Sequence, residues 1–204
     1  MAGRLFTPSV RISVVVVLGL TLSACGGGLF TKAPPPAYDL TAARQFPRWQ
    51  GAPRGQLVVT EPSGVSALDT EKVVVRSTQG EISTLPGAQW SDRLPKLLQS
   101  RIVQSFENAN RLRAVGKPGE RLTVDYQLLV DLRAFQIAVG DGTSAEVEFT
   151  AKIVADRSGR IVAAKVFRVS IPVGGTAAEP SMAALDDAFR RAVTELVLWA
   201  SRIV

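Results

Sequence analysis

Leu122-Thr123-Val124-Asp125-Tyr126-Gln127-Leu128-Leu129-Val130-Asp131-Leu132-Arg133-Ala134 is the stretch on which the fold turns. Leu122, Val124, Tyr126, Leu128, Val130, Leu132 and Ala134 fall on one face of an extended chain. Thr123, Asp125, Gln127, Leu129, Asp131 and Arg133 fall on the other. Side chains alternate across a strand, so this period of two predicts a long strand with one apolar and one mostly polar face. Beyond the turn signal Gly140-Asp141-Gly142 the pattern resumes. Ala145, Val147, Phe149, Ala151 and Ile153 alternate with Glu146, Glu148, Thr150 and Lys152. A long antiparallel pair is the simplest way to join them. Ser158-Gly159 turns the chain again into residues 160–172, with Ile161, Ala163, Phe167, Val169 and Ile171 on one face and a break expected at Pro172. The three strands predict a meander.

On either side of the meander the period changes. Leu57-Val58-Val59-Thr60 reads as a strand closed by Pro62 and Gly64. Residues 72–76 and 81–85 flank Gln79-Gly80 as a hairpin. After Trp90, the residues Leu94, Leu97, Leu98, Ile102, Phe106 and Ala109 recur at helical spacing, with Pro95 near the first turn and Asp92 on the favourable side of the helix dipole. A second helix begins at Pro180-Ser181 and carries Leu185, Phe189, Ala192, Leu196, Trp199 and Ile203. Asp186 and Asp187 fall in its first turns and Arg202 in its last. Apolar stripes of this kind cover the apolar face of a sheet. The fold class expected is α+β: a mainly antiparallel sheet of about six strands with two amphipathic helices packed on one face.

The chain of 204 residues carries 24 Lys and Arg against 18 Asp and Glu and has no histidine. Without imidazole and with a single cysteine, zinc and haem ligation and Cys-His or Ser-His catalysis lack their residues. There is no Ser-x-x-Lys, no Gly-x-Ser-x-Gly and no phosphate-cradling glycine loop between a strand and a helix. The pair Asp186-Asp187 stands four residues before Arg190-Arg191, a spacing that suits exposed ion pairs on a helix better than acid–base chemistry. No catalytic residue, cofactor or metal is expected, and no enzyme. Arg101, Arg111, Arg113, Lys117 and Arg121 crowd one stretch; they suit a solvated face, or contact with anionic lipid or an acidic partner.

The single cysteine, Cys25, lies where its neighbours give it meaning. Arg4 and Arg11 precede an apolar run from Ile12 to Leu20, followed by Leu22-Ser23-Ala24-Cys25 and Gly26-Gly27-Gly28. The run falls well short of the roughly 20 residues that span a bilayer, and its order is that of a secretory signal. The tetrapeptide resembles a bacterial lipobox. That resemblance implies removal of residues 1–24, acylation of Cys25 as the mature N-terminus, and lipid anchoring. Several acyl chains, at about 0.8 kcal/mol per buried methylene, hold a protein on a membrane durably. Lipoproteins retained in the inner membrane often carry aspartate after the cysteine; here Gly26 follows, which points to the outer membrane, facing the periplasm. Residues 25–37 read as a lipidated start and a flexible Gly/Pro leash reaching about 40 Å at most, at roughly 3.3 Å per residue. Residues 38–204 are expected to be a single α+β domain. The mature side chains balance at +4, and export makes nucleic acid an unexpected partner.

Taken together, these features resemble the auxiliary lipoproteins of ABC-type transport systems, the paraquat-inducible C-type lipoproteins that accompany Mce-domain lipid transporters. The matching residues are Leu22-Ser23-Ala24-Cys25, the proline leash into Tyr38-Asp39-Leu40, and Ala88-Gln89-Trp90 ahead of Leu97-Leu98. The others are the alternating strand from Tyr126 to Phe135, the Phe167 strand ending near Pro172, and a closing helix with Ala184, Leu185, Leu196 and Trp199. The resemblance implies an accessory role in moving phospholipid or other hydrophobic molecules between membranes. An ATPase, a permease and an Mce-type periplasmic protein would be its partners, and homo-oligomerisation stays open. The glycine-rich segments 138–143 and 173–179 are the candidate docking loops. Two other readings stay open: an envelope assembly lipoprotein that plugs or activates a partner in lipopolysaccharide export or peptidoglycan synthesis, and a direct lipid carrier.

Overall fold

The computed structural model describes Gly3, residues 34–121 and residues 123–204; Cys25, the signal segment and Leu122 lie outside them. The chain runs through β1 (Ala37–Tyr38), β2 (Arg54–Val59), β3 (Ser63–Gly64), a 3-10 turn (Ser66–Leu68), β4 (Lys72–Ser77) and β5 (Ile82–Trp90). It continues through α1 (Leu94–Ala109), β6 (Leu112–Gly116), β7 (Tyr126–Val139), β8 (Thr143–Ala155), β9 (Arg160–Val173) and α2 (Ala178–Ala200). Residues Pro35–Val204 make one compact unit.

The meander read from the period-two pattern is the spine of this unit. β7 pairs with β8 antiparallel from Tyr126 opposite Ala155 to Val139 opposite Thr143, and β8 pairs with β9 from Thr143 opposite Val173 to Ala155 opposite Arg160. β7 nevertheless starts four residues later than its pattern and runs on to Val139. A register shift between Leu132 and Ala134 restarts the alternation, so Phe135 and Ile137 point inward after Leu128, Val130 and Leu132, and Ala134 lies opposite Glu148 on the outer face. β9 continues through Pro172 to Val173. Proline is tolerated there because β9 is an edge strand, where a missing N–H breaks no ladder.

The other edge of β7 corrects the expected sheet. Three short strands lie along it end to end, all parallel to it: β2 beside Tyr126–Leu128, β3 beside Asp131–Leu132 and β4 beside Gln136–Val139. β6 extends the sheet from β2, and β5 with β1 extends it from β4. The result is a nine-stranded mixed sheet, not a six-stranded mainly antiparallel one. β1, β3 and β6 were missed because two to five residues carry no period. The predicted hairpin is present, with Arg76 opposite Ile82, but its second strand runs past Pro86 and Gly87 to Trp90. Gly64 fits its position because a β-carbon there would stand 3.0 Å from that of Leu132, too close for ordinary packing.

Both helices are where the apolar spacing put them. α1 begins with Pro95 in its first turn and ends at Asn110, whose φ of 49° closes it in the left-handed conformation that asparagine tolerates. Asp92 stands one residue before the cap, where it accepts the Arg93 N–H and pairs with Lys96 at 2.7 Å. α2 starts two residues earlier than Pro180, so Glu179 occupies its first turn while Asp186 and Asp187 fall in its third; Arg202 and Ile203 follow its end. The inner faces of both helices join one core with the sheet. Trp90 meets Phe135 edge to face at 5.6 Å, Phe135 lies 6.2 Å from Phe189, and Phe167 joins Phe149 to Trp199. Each buried aromatic removes a large apolar area from water, so this chain of rings supplies much of the cohesion between sheet and α2.

Candidate functional site

The two predicted docking loops come together in space. The β7–β8 turn is shorter than expected, since Ala138 and Val139 belong to β7 and Thr143 to β8; it closes with Gly140 N–H donating to Gly142 O at 2.9 Å. The β9–α2 loop starts beside it, because Thr143 is opposite Val173. Sequence reasoning missed a third member. The β4–β5 turn packs on the β7–β8 turn, with Thr78 N–H donating to Val139 O at 3.1 Å and Thr78 so close to Gly140 that a β-carbon there would sit 2.6 Å from its methyl. The parallel pairing of β4 with β7, invisible to local patterns, brings the hairpin tip to this end. Gly80, Gly142, Gly174 and Gly175 face open space, and Glu81, Asp141 and Glu179 are exposed around them. Three turns, glycine-rich and acid-bearing, thus form one exposed end of the sheet.

The opposite end has the other sign. Arg54 starts β2, Arg160 starts β9, Arg157 lies in the β8–β9 turn and Arg202 follows α2, with Val204 beyond it abutting Gly55. Asp125 and Asp156 lie there too, but Asp125 is taken up by the Gln56 N–H at 3.0 Å and Asp156 by the Gln127 amide at 2.6 Å. The basic stretch of the sequence does not form a single surface. Arg101 pairs with Asp39, Lys117 reaches Ser100 at 2.9 Å, and Arg111 is buried under Trp49, its guanidinium carbon 5.0 Å from the ring centroid. Arg111 donates to Pro47 O at 2.7 Å; burial, then the charge of Arg202, lowers its pKa.

Between α1 and α2 lies a strap, residues 40–43, that carries no periodic pattern of its own. Leu40, Ala42 and Ala43 are buried. Ala43 N–H donates to Ser105 Oγ at 3.0 Å and Asn108 donates to Ala43 O at 2.8 Å, both on α1, while Thr41 N–H donates to Asp186 on α2 at 2.6 Å. Beside the strap an open groove of about 560 Å³ is lined by Thr41, Arg44, Asp187, Arg190, Arg191 and Glu195, among others. Asp187 pairs with Arg190 at 2.6 Å and Arg191 at 2.7 Å, and Asp186 lies 3.7 Å from Arg190, so the adjacent acids serve ion pairs on an exposed helix face. On the outer face of the meander Glu148 accepts from Arg168 at 2.8 Å and from Arg133 at 3.4 Å, which holds its carboxyl below the usual range. Among the described residues no cluster of three or more Cys, Asp or Glu could hold a metal, and no helix is long and apolar enough to cross a membrane.

A mixed sheet covered by two helices defines an α+β domain. The family model of the ABC-type transport auxiliary lipoprotein component matches residues 38–197, and the chain belongs to that family. It is 32% identical over 184 residues to the uncharacterized protein bll6063 of Bradyrhizobium diazoefficiens, covering 90% of this chain and 49% of that protein; the chain thus spans about half the length of this relative. Among solved structures it is similar to protein XCC0632 from Xanthomonas campestris, at 28% identity and a TM-score of 0.68 over 82% of this chain and 93% of that one. A second, an uncharacterized protein at 13% identity, shares the fold with a TM-score of 0.63 over 80% of this chain and 97% of the other.

Proposed function

We propose that this protein is a lipid-anchored accessory subunit of an ABC-type, Mce-linked system for phospholipid or another hydrophobic cargo, held by Cys25 at the periplasmic face of the outer membrane after loss of residues 1–24. Membership of the auxiliary lipoprotein family across residues 38–197 carries the reading. The ATPase and permease supply the energy, the Mce-type protein carries the cargo, and this domain docks the assembly through the end formed by the 78–81, 140–142 and 174–177 turns.

The packed interior favours docking over carrying. Trp90, Phe106, Phe135, Phe167 and Phe189 fill the space between sheet and helices, where a lipid carrier would keep a cavity. On this reading the protein contributes a surface to the assembly.

Affinity purification of the tagged, acylated protein from crosslinked cells tests this reading: an Mce protein, an ATPase and a permease should co-purify. Recovery of a barrel or a synthase in their place would identify an assembly factor. Native mass spectrometry separates docking from carrying, since a carrier retains stoichiometric lipid. With Cys25→Ala the protein should leave the membrane fraction; quantitative sedimentation with outer membranes would refute the anchor.

A further inference from the structure

β9 presents the longest open edge of the sheet. It pairs with β8 along its whole length, and its other edge has no partner among the described residues. Such an edge offers a row of free N–H and C=O groups at alternate residues. A register shift beside Val162 and the missing N–H of Pro172 interrupt this row near both ends. Residues 163–171 lie uninterrupted between them, about 30 Å of template at about 3.3 Å per residue. On the outer face next to this edge, Val166 is 43% exposed and Val162 47% exposed, giving apolar contact for a neighbour.

The charge on the strand selects what fits. β9 carries Arg160, Lys165 and Arg168 and no acid. Arg168 is bound to Glu148, yet its side chain remains 72% exposed. A second copy laid antiparallel on this edge would double the positive charge along the seam with no acid on either strand to offset it, and like charges facing across a strand pair destabilise it. The edge strand β6 is also basic, with Arg113 inside it and Lys117 just after it, and β1 has two residues. Residues 26–37 suit the edge poorly, because three glycines weaken a strand and Pro34, Pro35 and Pro36 lack the N–H groups it needs.

We propose that the β9 edge between Ala163 and Ile171 receives, by strand addition, an extended segment of a partner protein in which acidic residues alternate with apolar ones. Main-chain hydrogen bonds supply the affinity, and Arg160, Lys165 and Arg168 supply the selection. The site runs along the side of the sheet and adjoins the glycine-rich end only at Ile171; it uses none of the residues of the three turns, so it stands or falls independently of the transport reading.

The test uses the full acylated chain in detergent micelles with three acetylated, amidated nonapeptides: alternating valine and glutamate, alternating valine and lysine, and the glutamate peptide N-methylated at alternate residues. Fluorescence anisotropy reads affinity and hydrogen exchange reads location. The glutamate peptide should bind at least tenfold more tightly than the lysine peptide, slow exchange at alternate amides of residues 163–171, and lose binding on N-methylation. With Lys165→Glu plus Arg160→Glu the preference should invert; the N-methylated arm needs no variant. Equal binding of the methylated peptide, or protection elsewhere, overturns the proposal. So does slow exchange of the β9 edge without peptide: if independent of protein concentration it identifies residues 25–33 as the cover, and if concentration-dependent, a second copy.

Discussion

Trp90 meets Phe135 edge to face, with ring centroids 5.6 Å apart and planes at 77°. This contact joins the last residue of β5 to the point where the register shift in β7 re-aims its alternation, and α2 closes over it through Phe189. It is where three parts of the sequence separated by more than forty residues each become one core. Phe135→Ala should therefore cost about 3–5 kcal/mol, read from chemical denaturation of the full chain. A loss under about 1 kcal/mol would mean that the ring does not anchor this junction.

The strap makes a more local prediction. Ser105 Oγ accepts the Ala43 N–H and itself donates to Arg101 O at 2.6 Å. Ser105→Ala leaves a buried N–H without a partner, for about 1–3 kcal/mol. Hydrogen exchange should accelerate at residues 40–43 more than in β7 or β8. Uniform acceleration would show that the strap is not a separate unit.

Gly55 has a φ of 62°, and a β-carbon on it would collide with the Val204 side chain. Gly55→Ala should destabilise the protein by about 1–2 kcal/mol from the left-handed backbone alone. Truncating Val204 to glycine in the same chain should relieve only the steric part, a split that thermal melts of the two variants will show.

Glu148 gives the pH dependence. Its carboxyl is held below its ordinary value by the Arg168 hydrogen bond first and then by Arg133. A depressed carboxylate contributes stability above the unfolded-state pKa and loses it as pH falls through the folded one. The wild type should thus exceed Glu148→Gln in stability near pH 7, with the gap closing below about pH 4. A gap that stays constant down to pH 2 would show that the ion pairs are not its source.

What could be read directly from the chain were the elements whose period is long enough to be unmistakable: the β7–β9 meander, the β4–β5 hairpin and both helices. The parallel pairings could not. β2, β3 and β4 find β7 across fifty to seventy residues, and only antiparallel neighbours announce themselves through turns such as Gln79-Gly80 or Ser158-Gly159. The same reason hid the third turn of the glycine-rich end, while the two recognised from glycine content are adjacent there. The strap escaped because its order comes from Ser105, Asn108 and Asp186 rather than from its own residues. Asp186 and Asp187 behaved as their spacing to Arg190 and Arg191 predicted.

The route by which the chain enters the domain has a mechanical consequence. β1 lies parallel to β5, with Gln89 N–H donating to Pro36 O and Ser91 N–H to Tyr38 O, and the strap then fastens at once to both helices. A pull along the strand at Pro35 loads these bonds in shear, all together, instead of peeling them one after another. The entry point is built to bear tension, so a domain held by its first residues transmits a tug to the sheet and helices as a rigid body before any of it unravels.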